Sequence, residues 1–187
     1  LGPRVLNIGF AFLASKDIIE IARPELEALR DETLVSAHLA IRDERDLLYL
    51  SCVQTRSGFL STMNVGSRVP AYASPMGWLL LSGLPQAELE ELFRKERFVP
   101  LTSQTPTSTP ELITTVEAAA ARGHVVSRGV MEAAGSSISA PIIDRRGTVV
   151  AAIDISGPDS AFDLDQIDGR YLAAVRGAAK RISERLG

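Results

Sequence analysis

The sequence predicts one α+β domain, a largely antiparallel sheet with helices packed on it. Three observations carry that class. Apolar residues recur at helical spacing at both ends, over 15–33 and again from Ile167 to Leu186. Between those ends the period switches to two, and alternating segments arrive in pairs joined by short polar turns. Strands and helices do not alternate as βαβ units, so a parallel sheet is not expected. At 187 residues, 45% apolar and 23% charged, the chain can bury a sizeable core without disulfides or a structural metal.

The first helix shows Ile18, Ile21, Ala22, Glu25, Leu26 and Leu29 on one broad face, with Ser15 and Asp17 able to cap its start. Pro24 predicts either a kink or the start of a second helix. Ala37, Leu39 and Ile41 then alternate with polar or small residues. Asp43 to Asp46 makes a turn, and Leu48, Leu50 and Cys52 alternate again as the second arm of a hairpin. Arg56 to Val65 reads as a third extended segment. Ser74 before Pro75 is an N-cap with proline at the first helical position, so a short helix is expected through 79–82. Leu84-Pro85 opens another, with Leu89, Leu92 and Phe93 inward. Residues 99–109 are rich in Pro, Thr and Ser and read as a surface loop. A helix follows from Thr109-Pro110-Glu111 to its stop at Gly123. Strands are expected at 125–128, 136–143 and 148–155, with a polar turn at 144–147. A final amphipathic helix is capped near Asp163.

Composition excludes several functions. Twenty Lys plus Arg against 23 Asp plus Glu give a net charge of −3, which opposes a dedicated nucleic-acid-binding module. One Cys and two His rule out a disulfide framework and oppose an all-protein zinc site, so no metal and no cofactor is expected. No apolar run reaches membrane-spanning length, and the expected location is cytoplasmic. The chain opens Leu-Gly-Pro-Arg with no secretory pattern, which reads as a cytosolic fragment of something longer.

Catalytic motifs are missing: there is no G-x-S-x-G, phosphate-binding loop, G-x-G-x-x-G or H-E-x-x-H. His38 and His124 read as surface or half-buried residues rather than bases, and Cys52 as a small core hydrophobe. Binding has more support. The start of the Ser74-Pro75 helix leaves backbone amides at Met76 and Gly77 that suit an anion. Ser136, Ser137 and Ser139 share one strand, and Asp154 with Ser156 share one face of another. Asp154 interrupts an apolar run, where a carboxylate needs company: it is either paired with a nearby Arg or placed for a ligand. Arg170, Arg176, Lys180, Arg181 and Arg185 on the last helix read as a solvated face or a partner contact.

The stretch from Val65 to Leu81, VGSRVPAYASPMGWLLL, resembles the central signature of the IclR family of bacterial transcriptional regulators. The likeness continues through Leu101-Thr102 and Thr105, through Arg122-Gly123-His124 and through Ser139-Ala140-Pro141-Ile142. It closes with GTVVAAIDISGP over 147–158. Pro70-Ala71-Tyr72, Met76-Gly77 and SCVQTR over 51–56 are most similar to members that control aromatic-acid catabolism. The resemblance implies a GAF-like effector-binding domain over 16–187, preceded by a linker remnant over 1–15. It also implies a winged helix-turn-helix outside this chain that would engage operator DNA, a homodimer or tetramer, a small organic-acid effector and no membrane partner. Carried across, the family pocket falls on Ser74, Pro75, Met76, Gly77, Ser127, Pro141, Asp154 and Ser156.

Departures from the family shape the ligand expected. Pro75 removes one amide, Ser127 stands where some members have an acid, and Asp154 where many have Ser or Asn; Trp78 replaces a residue that is often basic. An anion beside Asp154 would need Arg56, Arg68 or Arg128 to intervene. The expected effector therefore carries a carboxylate and hydroxyls, the hydroxyl end facing Asp154: an aromatic hydroxy-acid, or a short keto- or hydroxy-acid. Two other readings compete. One is an oligomerisation module without a metabolite, its pocket plugged by Trp78 and Met76. The other is a serine hydrolase in which His38 or His124 would serve Ser74 or Ser156.

Overall fold

The structure is a computed structural model; it describes residues 3–55 and 63–186, with side chains from residue 17 onward. Helix α1 (Pro3–Thr33) is one element with Pro24 inside it. Ser15 and Asp17, expected as caps, therefore lie within the helix, which begins instead at Pro3, where a missing N–H costs nothing. Pro24 starts no second helix. Ile18, Ala22, Leu26 and Leu29 are buried around it, and that packing offsets the hydrogen bond the proline removes.

The other elements are β1 (Ala37–Asp43), β2 (Asp46–Val53), β3 (Arg68–Pro70), α2 (Pro75–Leu81), α3 (Gln86–Phe93), α4 (Thr109–Arg122), β4 (Val125–Arg128), β5 (Gly135–Ile143), β6 (Val149–Pro158) and α5 (Leu172–Leu186). The six strands form one sheet in the order β3-β2-β1-β6-β5-β4, every pair antiparallel. An N-terminal hairpin and a C-terminal hairpin thus meet at the β1–β6 seam, which confirms the α+β class and the GAF-like expectation.

Three local readings need correction. Of the strand expected over 56–65, residues 56–62 lie outside the described residues, while 63–65 are not strand. Val65 and Gly66 turn, Gly66 at φ +89°, and the strand there is the short β3. Helix α4 starts at Thr109 as expected, with Ser108 before it accepting from Glu111 N at 3.4 Å as the cap. Asp163 caps a 3-10 turn, and a π turn at Ile167–Tyr171 leads into α5. In β2, a bulge between the partners of Leu39 and Ala40 skips Leu50. Leu50 consequently packs toward α1 while Cys52 turns to the opposite face.

The sheet divides two cores. On one face α1 and α5 cover Leu39, Ile138, Ala140, Ile142, Ala151, Ile153 and Ile155. Arg181 pairs with Glu25 at 2.8 Å and Arg185 donates to Ile21 O, so part of the basic face of α5 clamps α1; Arg170, in the turn before α5, donates to Glu32 O. On the other face α2 packs over Ala40, Leu47, Tyr49 and Ala152, with α3 and α4 beyond it.

Candidate functional site

Alternation along β6 sends Ala152, Asp154 and Ser156 to the α2 face, and register sets their neighbours. His38 of β1 and Ser139 of β5 flank Asp154; Ser137 faces Ser156. The carboxylate is buried, 4% exposed, and its partner is His38, itself wholly buried, with Nδ1 at 2.8 Å from Asp154 Oδ1. This resolves the open question over Asp154: the companion is a histidine on the adjacent strand, not an arginine. His38 is correspondingly neither surface nor half-buried. The Ser139 hydroxyl is buried without a hydrogen-bond partner among the described residues.

Above this row lies a cavity of about 310 Å³. Its wall carries the hydroxyl-bearing residues Ser36, Tyr49, Thr55, Ser127, Ser137 and Ser156, with Met63, Pro75, Val130, Met131 and Pro158 supplying apolar surface. Glu132 stands exposed at its edge, and no Lys or Arg lines it among the described residues. Ser127 and Ser137 hydrogen-bond to each other at 3.0 Å. Tyr49 is 2% exposed, and burial together with the nearby Asp154 carboxylate pushes its phenol well above the ordinary range, so it stays neutral. Burial and Asp154 likewise push the Cys52 thiol up to about 11.

Of the eight residues carried over by resemblance, the fold brings Pro75, Ser127 and Ser156 to the cavity wall. The other five lie elsewhere. Ser74 is occupied as the cap of α2, accepting from Gly77 N at 3.5 Å. Met76 is buried in the core beneath α2. Gly77 is a packing glycine: a Cβ there would sit 2.1 Å from Ala71 O. Pro141 pairs with Ala152, further along β5 than the cavity extends, and Asp154 lies behind Ser156. The wall residues Ser36, Tyr49, Thr55 and Met63 were missed. Tyr49 carried one legible signal, since alternation puts it on the face of Leu47, but which face the cavity takes is a matter of how the strands pair.

The cationic helpers fare differently from expectation. Arg68 is spent on Asp43 and Asp46 at 2.7 and 3.1 Å. Arg128 pairs with Asp159 at 2.9 Å, and Arg56 lies outside the described residues. Trp78 and Met76 do not plug the cavity; Trp78 donates to Tyr72 O at 2.8 Å within the α2 core. A serine-hydrolase geometry also fails. Ser156 Oγ is 3.3 Å from His38, but from the same Nδ1 that holds Asp154, so that nitrogen cannot serve as base and be oriented by the acid at once. His124 bonds Arg122 O at a helix exit.

The Bacterial transcriptional regulator IclR C-terminal family matches residues 10–184. The Pca regulon regulatory protein of Pseudomonas putida is 28% identical over 185 residues, 98% of this chain. The chain spans 64% of that relative's length. A transcriptional regulator of Rhodococcus sp. RHA1 is similar over the whole chain and 76% of its own, at 34% identity and a TM-score of 0.87. An IclR homologue of Microbacterium hydrocarbonoxydans, solved in complex with 4-hydroxybenzoate, shares the fold at a TM-score of 0.82 and 23% identity, covering 100% of this chain and 75% of that one. These relatives are regulators, and among the described residues no helix is long and apolar enough to cross a membrane. The chain belongs to the IclR family of bacterial transcriptional regulators, as its C-terminal effector-binding domain.

Proposed function

We propose that this domain senses a small organic acid in the cavity between α2 and the β5–β6 hairpin and passes its occupancy to a winged helix-turn-helix beyond this chain. The observation that carries the reading is the cavity itself. At about 310 Å³ it stands near the lower end of small-molecule sites, which suits a single ring or a short chain. Its wall combines apolar surface with converging hydroxyls, the pattern of a site that grips a ligand's body and reads its oxygens. An aromatic hydroxy-acid fits both features, and 4-hydroxybenzoate occupies a homologue of this fold. A short keto- or hydroxy-acid is the smaller alternative. Among the described residues the ligand's oxygens meet Ser127, Ser137, Ser156 and Tyr49, and no guanidinium lines the cavity.

The working protein is a cytoplasmic homodimer or tetramer in this reading. Effector binding shifts the pose of α2, and the shift reaches operator DNA through the partner domain. The coupling is reciprocal, so operator and effector change each other's affinity by one factor. Titration calorimetry with hydroxybenzoates and short keto-acids tests the site. Saturable binding to the unaltered chain, lost when Ser137→Phe fills the cavity, is the expected result. A folded domain that binds none of them counts against the reading.

A further inference from the structure

The cavity floor has a hydrogen-bond direction built into it. His38 Nδ1 lies 2.8 Å from Asp154 Oδ1 and 3.3 Å from Ser156 Oγ. A carboxylate oxygen can only accept, so the shared proton sits on Nδ1. Carrying that proton, Nδ1 offers Ser156 no lone pair. The Ser156 oxygen therefore accepts there, and its own proton turns elsewhere. Among the described residues Ser156 Oγ makes no other hydrogen bond, and Ser156 lines the cavity.

Tyr49 adds to the same polarity. Its ring meets His38 edge to face, centroids 5.7 Å apart and planes at 84°, and it forms part of the wall. Its hydroxyl has no hydrogen-bond partner among the described residues. Held neutral by burial, it keeps a proton to give. Two donors thus converge from adjacent regions of one floor, both touching the same buried imidazole.

We propose that His38 is a positioning residue that sets this polarity, so that Ser156 presents a donor and the group seated against it is an acceptor oxygen of a carboxylate or carbonyl. This inference rests on the reading of the cavity as an effector site, and it reverses the orientation expected from sequence. The acid end of the ligand, not its hydroxyl end, faces the strand that carries Asp154. Among the described residues a row of hydroxyls and a buried imidazole meets that acid end.

The first test needs no ligand. Nitrogen NMR of the His38 imidazole in the unliganded chain should find the proton on Nδ1; a bare Nδ1 overturns the proposal. The second compares benzoate and 4-hydroxybenzoate with benzyl alcohol and 4-hydroxybenzyl alcohol by calorimetry. His38→Leu should weaken the two carboxylates about tenfold, the loss of one charge-assisted bond, and leave the alcohols nearly unchanged. His38→Asn, whose amide N–H can stand at the Nδ1 position, should restore them. Ser156→Ala should match His38→Leu, and serves in its place should that variant not fold. Equal weakening of acids and alcohols, or no rescue by His38→Asn, overturns the proposal. If the unaltered chain binds no probe, the effector reading falls, and the imidazole spectrum alone decides the polarity.

Discussion

Replacing Gly77 by Ala tests whether that glycine is structural rather than a ligand contact. The added Cβ would lie 2.1 Å from Ala71 O and 2.7 Å from Ala71 C and Cα. Real Cβ atoms do not come closer than 3.0 Å, so α2 or the turn at Ala71–Ala73 must retreat by 3.0 − 2.1 = 0.9 Å. Neither has room, because every residue of both segments is buried. Overpacking of this kind costs about 3 kcal/mol, near the upper end of its usual range. Removing a helical glycine returns about 1 kcal/mol. The net loss of about 2 kcal/mol corresponds to a Tm lower by roughly 4–8 °C in a domain of this size. Pro75 on the cavity wall belongs to the same helix, so ligand affinity should fall as well. Differential scanning calorimetry reads the first effect. A Tm equal to or above that of the unaltered chain would mean that helix propensity outweighs the clash, and would refute the packing role.

The buried pair gives a second test: His38→Leu strands the Asp154 carboxylate and should cost about 3–5 kcal/mol in urea unfolding, most of it recovered on adding Asp154→Leu. A His38→Leu loss under about 1 kcal/mol would show that the pair does not hold the floor. Ser139→Ala removes a buried hydroxyl without a partner among the described residues, and should be neutral or stabilising; a clear loss would reveal a bond the structure lacks. Cys52 sets a pH dependence. Its thiol is raised from 9.0 to about 11 in the fold, so between those values the folded state holds the proton that the unfolded chain has lost. Stability should therefore fall as pH climbs from about 9 to 11, and fall less steeply in Cys52→Ala. Identical slopes would contradict it.

Much of the architecture was legible because it depends on local chemistry. The Ser74-Pro75 start of α2, the Gly123 stop at φ +66°, and the run of alternating residues in β6 are each read within a few positions. The site was legible only in part. Asp154 in an apolar strand announced that it needed a partner, but His38 lies 116 residues away, and strand order alone brings them together. The bulge in β2 is likewise invisible in the residues, because it arises from how β2 pairs with β1. It moves Cys52 off the face of Leu50, which simple alternation would have it share. Gly77 is ambiguous in the sequence for another reason: a glycine at a helix start suits both an anion site and a tight helix–turn contact, and the close approach of Ala71 supports the second.

The coupling of cavity to operator is measured most directly on the full-length protein, by operator affinity with and without a ligand that the cavity accepts. An effector of this kind should shift operator affinity by about 5- to 150-fold, and the shift should vanish in Ser137→Phe. Ligand binding that leaves operator affinity unchanged, or an equal shift in the plugged variant, would contradict the cavity's role as the sensor.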